Sequence, residues 1–272
     1  MSSKSAFVAA VCAALLAACG GGSGSPSAPS PPTPPPGGGP TPNACSALGV
    51  VAPPSLAIVN GSECSPATSP VVLLNMRHAQ GFGLGSCSGT VIAPRAVLTA
   101  AHCLDEDVAT VRVWLGSGAE IVAESFSFHP AYRPGSATSI DVGVVLMSED
   151  LPRTPMPLLT SRNAAPGEAA VIAGWGRDLQ SIGATLRAGR TTITAVGSFL
   201  LETEFTTTAS SICLGDSGGP ILISQDDRWT IAGVSSAASI VSCNAGTNFY
   251  VNLRNGSASS FILNLVPGVG TL

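Results

Sequence analysis

Charged residues are scarce in this 272-residue chain: Lys, Arg, Asp and Glu make up 10% of it, and the formal net charge is −4. No run of Lys and Arg stands out, which excludes the basic stripe needed to hold nucleic acid. Aromatics are also few, at 5%, while Val, Thr, Ile, Ala and Gly are plentiful, a balance that favours short strands and turns over long amphipathic helices. The three histidines, His78, His102 and His129, form no cluster, and no two cysteines stand as CxxC. No structural zinc site is therefore expected. No internal repeat is apparent. The N-terminal apolar run from Ala6 to Ala18 is too short for a stable membrane-spanning helix.

That run reads instead as a signal peptide, with Lys4 as its positive flank. It ends in Leu16-Ala17-Ala18-Cys19, which resembles the lipobox of bacterial lipoproteins and implies an acylated Cys19 closing a segment 1–19, with ordinary secretion as the alternative. Gly20 follows, without the Asp that marks inner-membrane retention in many lipoproteins, so outer-membrane or surface display is expected. Residues 20–44 are almost wholly Gly, Ser, Pro, Thr and Ala and read as a disordered tether. The packed portion is expected over 58–272, a length that suits one all-β domain or two small barrels.

Within that portion, short apolar runs alternate with turn residues: 71–74, 90–92, 111–114, 142–147, 170–173, 221–223, 229–234 and 249–253. This is strand punctuation. The proline-rich stretch from Leu151 to Pro157, continuing to Pro166-Gly167, divides the strands into two comparable sets. Only 258–266 reads as helical. Beyond Cys12 and Cys19 lie six cysteines, Cys45, Cys64, Cys87, Cys103, Cys213 and Cys243. An even count after an export signal points to disulfides, in any of about fifteen connectivities.

Gly215-Asp216-Ser217-Gly218-Gly219-Pro220 places a serine among glycines, where a substrate carbonyl can approach the backbone and the N–H groups of Gly215 and Ser217 can face a developing oxyanion. GxSxG alone is shared with the nucleophile elbow of α/β-hydrolases, but those place their histidine after the serine. Here no histidine follows Ser217, so the elbow reading fails.

Together with Thr99-Ala100-Ala101-His102-Cys103, the GDSGGP segment resembles the signature of the chymotrypsin-like (trypsin-like, S1) serine protease family, and the likeness runs from Ile58 to about Val266. It implies an all-β fold of two packed six-stranded antiparallel barrels with a C-terminal helix. It further implies a serine endopeptidase acting on protein or peptide substrates with no cofactor. Ile140-Asp141-Val142-Gly143 matches the segment that supplies the orienting acid, giving His102, Asp141 and Ser217 as the triad. His129-Pro130-Ala131-Tyr132 and Gly174-Trp175-Gly176 match structural segments, and His78 reads as an ordinary surface or strand histidine. The carried-over disulfides are Cys87 with Cys103 and Cys213 with Cys243. That leaves Cys45 to pair with Cys64 and hold a propeptide, 45–57, to the protease domain after cleavage.

Ile58-Val59-Asn60-Gly61 resembles the N-terminus that such zymogens gain on cutting, whose ammonium pairs with the acid before the nucleophile, here Asp216. Ala57 precedes it where many relatives carry Arg or Lys, so cleavage by the enzyme itself or by a protease accepting small side chains is expected. By the same alignment Ser211 lies at the base of the primary pocket, Ser235-Ser236-Ala237 matches the substrate-binding strand with Ser236 replacing a tryptophan, and Asn248 replaces a glycine. The substrate-binding set is then Ser211, Ser235, Ala237 and Asn248, with small or medium uncharged residues preferred. A catalytically silent binding protein on the same fold is the alternative.

Overall fold

Long-range pairing of short strands builds this molecule, in a computed structural model that describes residues 43–50, 61–105, 107–177, 183–206, 208–239 and 243–272. The lipobox Cys19, Ala57 and Ile58 lie outside the described residues. In the first half come β1 (Ser62–Glu63), β2 (Val71–Arg77), β3 (Gly83–Ala93), β4 (Ala96–Thr99), β5 (Thr110–Trp114), β6 (Ile121–Val122), β7 (Ser125–Phe128) and β8 (Gly143–Leu146). The second half holds β9 (Ala169–Gly174), β10 (Arg187–Val196), β11 (Leu200–Glu204), β12 (Pro220–Gln225), β13 (Arg228–Ala238), β14 (Thr247–Asn252) and the helix α1 (Gly256–Leu265).

Two antiparallel sheets result, ordered β6-β5-β2-β3-β4-β8-β7 and β1-β10-β11-β14-β13-β12-β9. In the second, β9 also pairs with β10, which closes the sheet into a barrel. Each sheet has seven strands where the family pattern implies six, because a two-residue segment, β6 or β1, pairs onto one edge. Each expected apolar run falls on a strand, with 142–147 overrunning β8 at both ends and 249–253 overrunning β14 by one residue. Of the six strands that the runs did not reveal, β1, β4, β6, β7, β10 and β11, the two longest, β10 and β11, mix apolar residues with Thr, Arg or Glu and so lack a continuous apolar stretch.

The core follows the sheets. Val91, Val97, Val144 and Val145 are wholly buried between the strands of the first, and Ile172, Ile193, Leu201 and Ile221 fill the second. The stretch after Leu151 ties one to the other: Met156 N donates to Val91 O at 2.9 Å, and Leu159 N donates to Ile231 O at 2.9 Å. Asn255 caps α1 by accepting from the amides of Ser257 and Ala258.

Packing begins earlier than the expected residue 58. A short 3-10 turn, Ala44–Leu48, is capped by Asn43 and buries Ala44, Cys45, Ala47 and Leu48. The physical reason is the Cys45–Cys64 disulfide, which pins this apolar segment beside β1, and Cys64 N in turn donates to Leu186 O at 2.8 Å.

Candidate active site

Antiparallel pairing of β4 with β8 sets Thr99 opposite Gly143. The chain leaving β4 and the chain entering β8 therefore meet at one end of the ladder. A 3-10 turn, Ala101–Cys103, carries His102 there, and the Cys87–Cys103 disulfide fastens the turn to β3. Asp141, 4% exposed, lies two residues before Gly143 and faces this turn. Its Oδ1 accepts from the His102 amide at 2.9 Å, and its Oδ2 lies 2.7 Å from His102 Nδ1. A carboxylate acceptor fixes the proton on Nδ1 and leaves the Nε2 lone pair free to act as a base.

Burial opposes the charged form of both groups. For His102 this is outweighed by the hydrogen bond and charge of Asp141, so its pKa rises above 6.5. For Asp141 burial is outweighed by the side chain, charge and amide of His102 and by Ser236, so its pKa falls below 3.8. A titration of the His102 Cε1 proton by NMR should accordingly have its midpoint above 6.5. Replacing Asp141 with Asn should lower it, because burial is then opposed only by the charge of Asp105; an unmoved midpoint would refute this account of the pair.

Ser217 lies in the loop between β11 and β12, and this loop is locked onto the first sheet. Ser88 N donates to Ser217 O at 2.8 Å, Ser88 Oγ donates to Gly215 O at 2.9 Å, and Trp175 N donates to Ser88 Oγ at 2.9 Å. Gly218 makes the close approach possible. Its φ is +79°, and a Cβ there would stand 2.1 Å from Thr99 Oγ1 and 2.3 Å from Ser88 O, so the serine loop presses directly on the strand end that carries His102. The amides of Gly215 and Ser217 have no backbone acceptor among the described residues, unlike the neighbouring amides of Asp216, Gly218 and Gly219, which donate to Cys213 O, Ser235 O and Asp216 O.

Asp216 points the other way, into the protein. Its Oδ1 accepts from Gly176 N and its Oδ2 from Cys213 N, both at 2.8 Å. Full burial pushes its pKa up to about 6, against the downward pull of those two amides and the charge of Arg187.

Two depressions adjoin on the surface. One of about 210 Å³ is lined by Ser217, Cys213, Leu214, Ser236, Ala237 and Cys243 among others. The other, of about 410 Å³, includes His102, Asp141, Tyr132, Leu200, Ser236, Ala237 and Phe249 in its wall. Ser236 and Ala237 are common to both.

The substrate-binding strand is displaced by one residue from the expected register. Ser235 is 2% exposed and spends its backbone on Gly218 N and Gly219 O, so it does not line the cleft. A bulge in the β13–β14 ladder between Ser235 and Ala237 turns Ser236 out of the pairing. Its Oγ donates to Asp141 Oδ2 at 2.6 Å. Ser236 is therefore a support of the acid, not the substitute for a tryptophan, and Ala237 and Ala238 form the wall beside it.

Ser211 and Asn248 do come together. Ser211 Oγ donates to Asn248 Oδ1 at 3.0 Å, and Asn248 Nδ2 donates to Thr203 Oγ1 at 3.2 Å. All three side chains are buried and sit behind the lining, so Asn248 fills space where a glycine would leave a deeper pocket. Thr203 was not legible as part of this group; its pairing with Asn248 across β11 and β14 is what reveals it.

The remaining candidates fall as expected. The disulfides are Cys45–Cys64, Cys87–Cys103 and Cys213–Cys243. His129 Nδ1 accepts from Ala131 N at 3.0 Å, its Nε2 lies 3.0 Å from Ser257 Oγ, and its ring packs edge-on to Phe261. It thus joins the segment before β8 to α1. His78 stacks on Phe82 at the exposed tip of the β2–β3 hairpin. Cys87, His102 and Cys103 lie close enough to suggest a metal cluster, but the two cysteines are bonded to each other and offer no thiolate.

Comparison with known proteins bears on the family and the fold. The family model for trypsin matches residues 58–259. Chymotrypsin from Phaedon cochleariae is 31% identical over 212 residues, covering 67% of this chain and 75% of that protein. Trypsin from Saccharopolyspora erythraea is 29% identical over 198 residues, covering 62% and 82%. A solved collagenase structure superposes with a TM-score of 0.66 over 77% of this chain and 99% of that one, at 22% identity, a likeness of fold.

Proposed function

The chain belongs to the trypsin family of serine endopeptidases, and from that premise we propose that it cleaves protein or peptide substrates with His102, Asp141 and Ser217 as its triad. The observation that carries this reading is the two-point grip of Asp141 on His102, at its amide and its Nδ1, in a cleft wall continuous with that of Ser217. Ser217 Oγ attacks the scissile carbonyl and gives its proton to His102 Nε2. The tetrahedral oxyanion accepts from the amides of Gly215 and Ser217. Collapse breaks the C–N bond, the leaving amine takes the proton from His102, and a water molecule repeats the cycle on the acyl-enzyme. Labelling of Ser217 by a fluorophosphonate probe, lost in a His102→Ala variant, is the direct test; no labelling of the processed enzyme sinks the reading.

Activation is proposed to follow cleavage between Ala57 and Ile58, with the new Ile58 ammonium pairing with Asp216. A buried carboxyl held up at about 6 by desolvation is the partner such an ammonium needs. The Cys45–Cys64 bond joins the two sides of the cut, so the leader remains attached to the processed enzyme. With an acylated Cys19, the active protease would stay at a membrane surface. Disulfide-bonded trypsin-like proteases are usually secreted or exported, which accords with a leader. If a purified Ser217→Ala chain still acquires an Ile58 N-terminus with no protease added, self-cleavage is wrong.

The pocket is proposed to select small or medium uncharged residues before the scissile bond. Among the described residues no acid stands at its base to bind Arg or Lys, and the Ser211–Asn248–Thr203 network occupies its depth. Peptide-library profiling should show cleavage after residues such as Ala or Val, and strong cleavage after Arg, Lys or Trp would count against the proposal. Replacing Asn248 with Gly should raise kcat/KM for a Leu or Phe at that position by about 10-fold or more, the scale of a pocket gaining a few methylenes of room.

A further inference from the structure

The largest of the fully buried side chains is a cation, and neither the triad nor the pocket uses it. Arg187, on β10, is 1% exposed. Its Nη1 donates to Gly176 O at 2.9 Å, while Gly176 N donates to Asp216 Oδ1 at 2.8 Å. Guanidinium and carboxylate thus hold the two polar ends of the same residue. The contact is close, since a Cβ on Gly176 would stand 2.5 Å from Asp216 Cγ. A second acid, Glu63, places its Oε1 4.0 Å from Arg187 Nη2 with a side chain 36% exposed. Water reaches Glu63 and screens it; Asp216 has no such access. A guanidinium buried this deeply carries a heavy desolvation cost unless its charge is answered inside the protein.

We propose that Arg187 is a positioning residue that serves as a built-in counter-cation for Asp216, keeping the loop of Gly215 and Ser217 partly ordered before Ile58 is freed and giving the uncut chain reduced but real activity. The inference rests on the reading of Ser217 as nucleophile and of Ile58 and Asp216 as the activation pair. Covalent structure supports it. The Cys45–Cys64 bond exists on both sides of the cut, and it fixes β1 against β10 in the register Glu63 opposite Arg187. The guanidinium is therefore anchored by bonds that processing does not alter. Because Arg187 and Asp216 meet through Gly176, the guanidinium leaves the Asp216 carboxyl at about 6, well short of the full neutralisation that a directly bonded ammonium provides. Partial order, and hence partial activity, is what this geometry predicts.

The test uses the full chain carrying Ile58→Pro, a bond that resists cutting, with mass spectrometry to verify that it is intact. Its rate of labelling by a fluorophosphonate probe is compared with that of the cut wild-type enzyme. The uncut chain should label at about 1 to 10% of the cut enzyme's rate. Adding Arg187→Met should slow the uncut chain by about 10-fold or more, while the same change slows the cut enzyme by less than about 3-fold, because the Ile58 ammonium then supplies the charge. Arg187→Lys should restore most of the uncut chain's rate. A merely structural arginine would lower both forms together, and that outcome overturns the proposal. An uncut chain that does not label at all, with Arg187 in place, overturns it without any variant at Arg187 having to fold. Failure of the cut enzyme itself to label would instead sink the serine-protease reading, and this inference with it.

Discussion

Replacing Asp141 with Asn should lower kcat by a factor on the order of 10⁴ with little change in fold, the loss that the same exchange brings in a Ser-His-Asp triad. The geometry explains why so small a change is so costly. Oδ1 accepts from the His102 amide and Oδ2 faces Nδ1 while also accepting from Ser236. An asparagine keeping its oxygen on the amide would turn an NH₂ group toward Nδ1 and Ser236. His102 would then accept at Nδ1 and carry its proton on Nε2, and the base would be lost. Ser236→Ala should cost far less, about 10-fold, since it removes one of the carboxylate's three donors and leaves the tautomer intact. Steady-state kinetics on processed enzyme, with circular dichroism as the folding control, separates these results; a loss below about 100-fold for Asp141→Asn would argue against the proposed triad.

The positions of His102, Asp141 and Ser217 were readable in the sequence because each is embedded in a motif whose neighbours are fixed by packing. Ala100 and Ala101 are wholly buried where the turn of His102 meets the sheet, and Gly218 is held by contacts with Thr99 and Ser88 that no other residue could make. The apolar strands were equally legible, since Val and Ile runs buried on both faces leave a plain signal. What was hidden depends on register and closure. Two consecutive serines, Ser235 and Ser236, are chemically identical on paper, and only a bulge decides which one reaches Asp141. Arg187 looks like a surface residue of a mixed strand. Yet the alternation of buried residues on β10 back from Ile193 through Thr191 and Gly189 ends on it, and closure of the second sheet by β9 and β10 carries that face inward. The packed leader segment was hidden because its burial depends on the disulfide partner.

Cutting before Ile58 should raise both activity and stability, and the stability gain should itself depend on pH. In the uncut chain the Asp216 carboxyl rises from its ordinary 3.8 to about 6, a shift equivalent to about 3 kcal/mol. A folded pKa above the unfolded one means that the folded state holds the proton more tightly. The stability from that bound proton is whole below about 3.8 and is lost as the pH rises through about 6. At neutral pH the uncut chain therefore carries an ionised, buried carboxylate answered, among the described residues, by two amides and the neighbouring guanidinium. Pairing with a buried Ile58 ammonium reverses the sign, lowering the carboxyl's pKa and recovering the lost stability. The difference in Tm between cut and uncut chains, both carrying Ser217→Ala to prevent autolysis, should be small near pH 4, grow toward pH 7, and shrink again once the ammonium deprotonates above about pH 8. The subtraction removes the contributions of Asp141 and Glu168, whose lowered pKa values act alike in both forms. Asp216→Asn in the cut enzyme should abolish the pH-dependent difference and reduce kcat/KM by about 10³-fold, because an unpaired ammonium cannot hold the Gly215 and Ser217 amides in place. A difference in Tm that stays flat from pH 4 to 7 would show that Asp216 is not the partner of the new N-terminus.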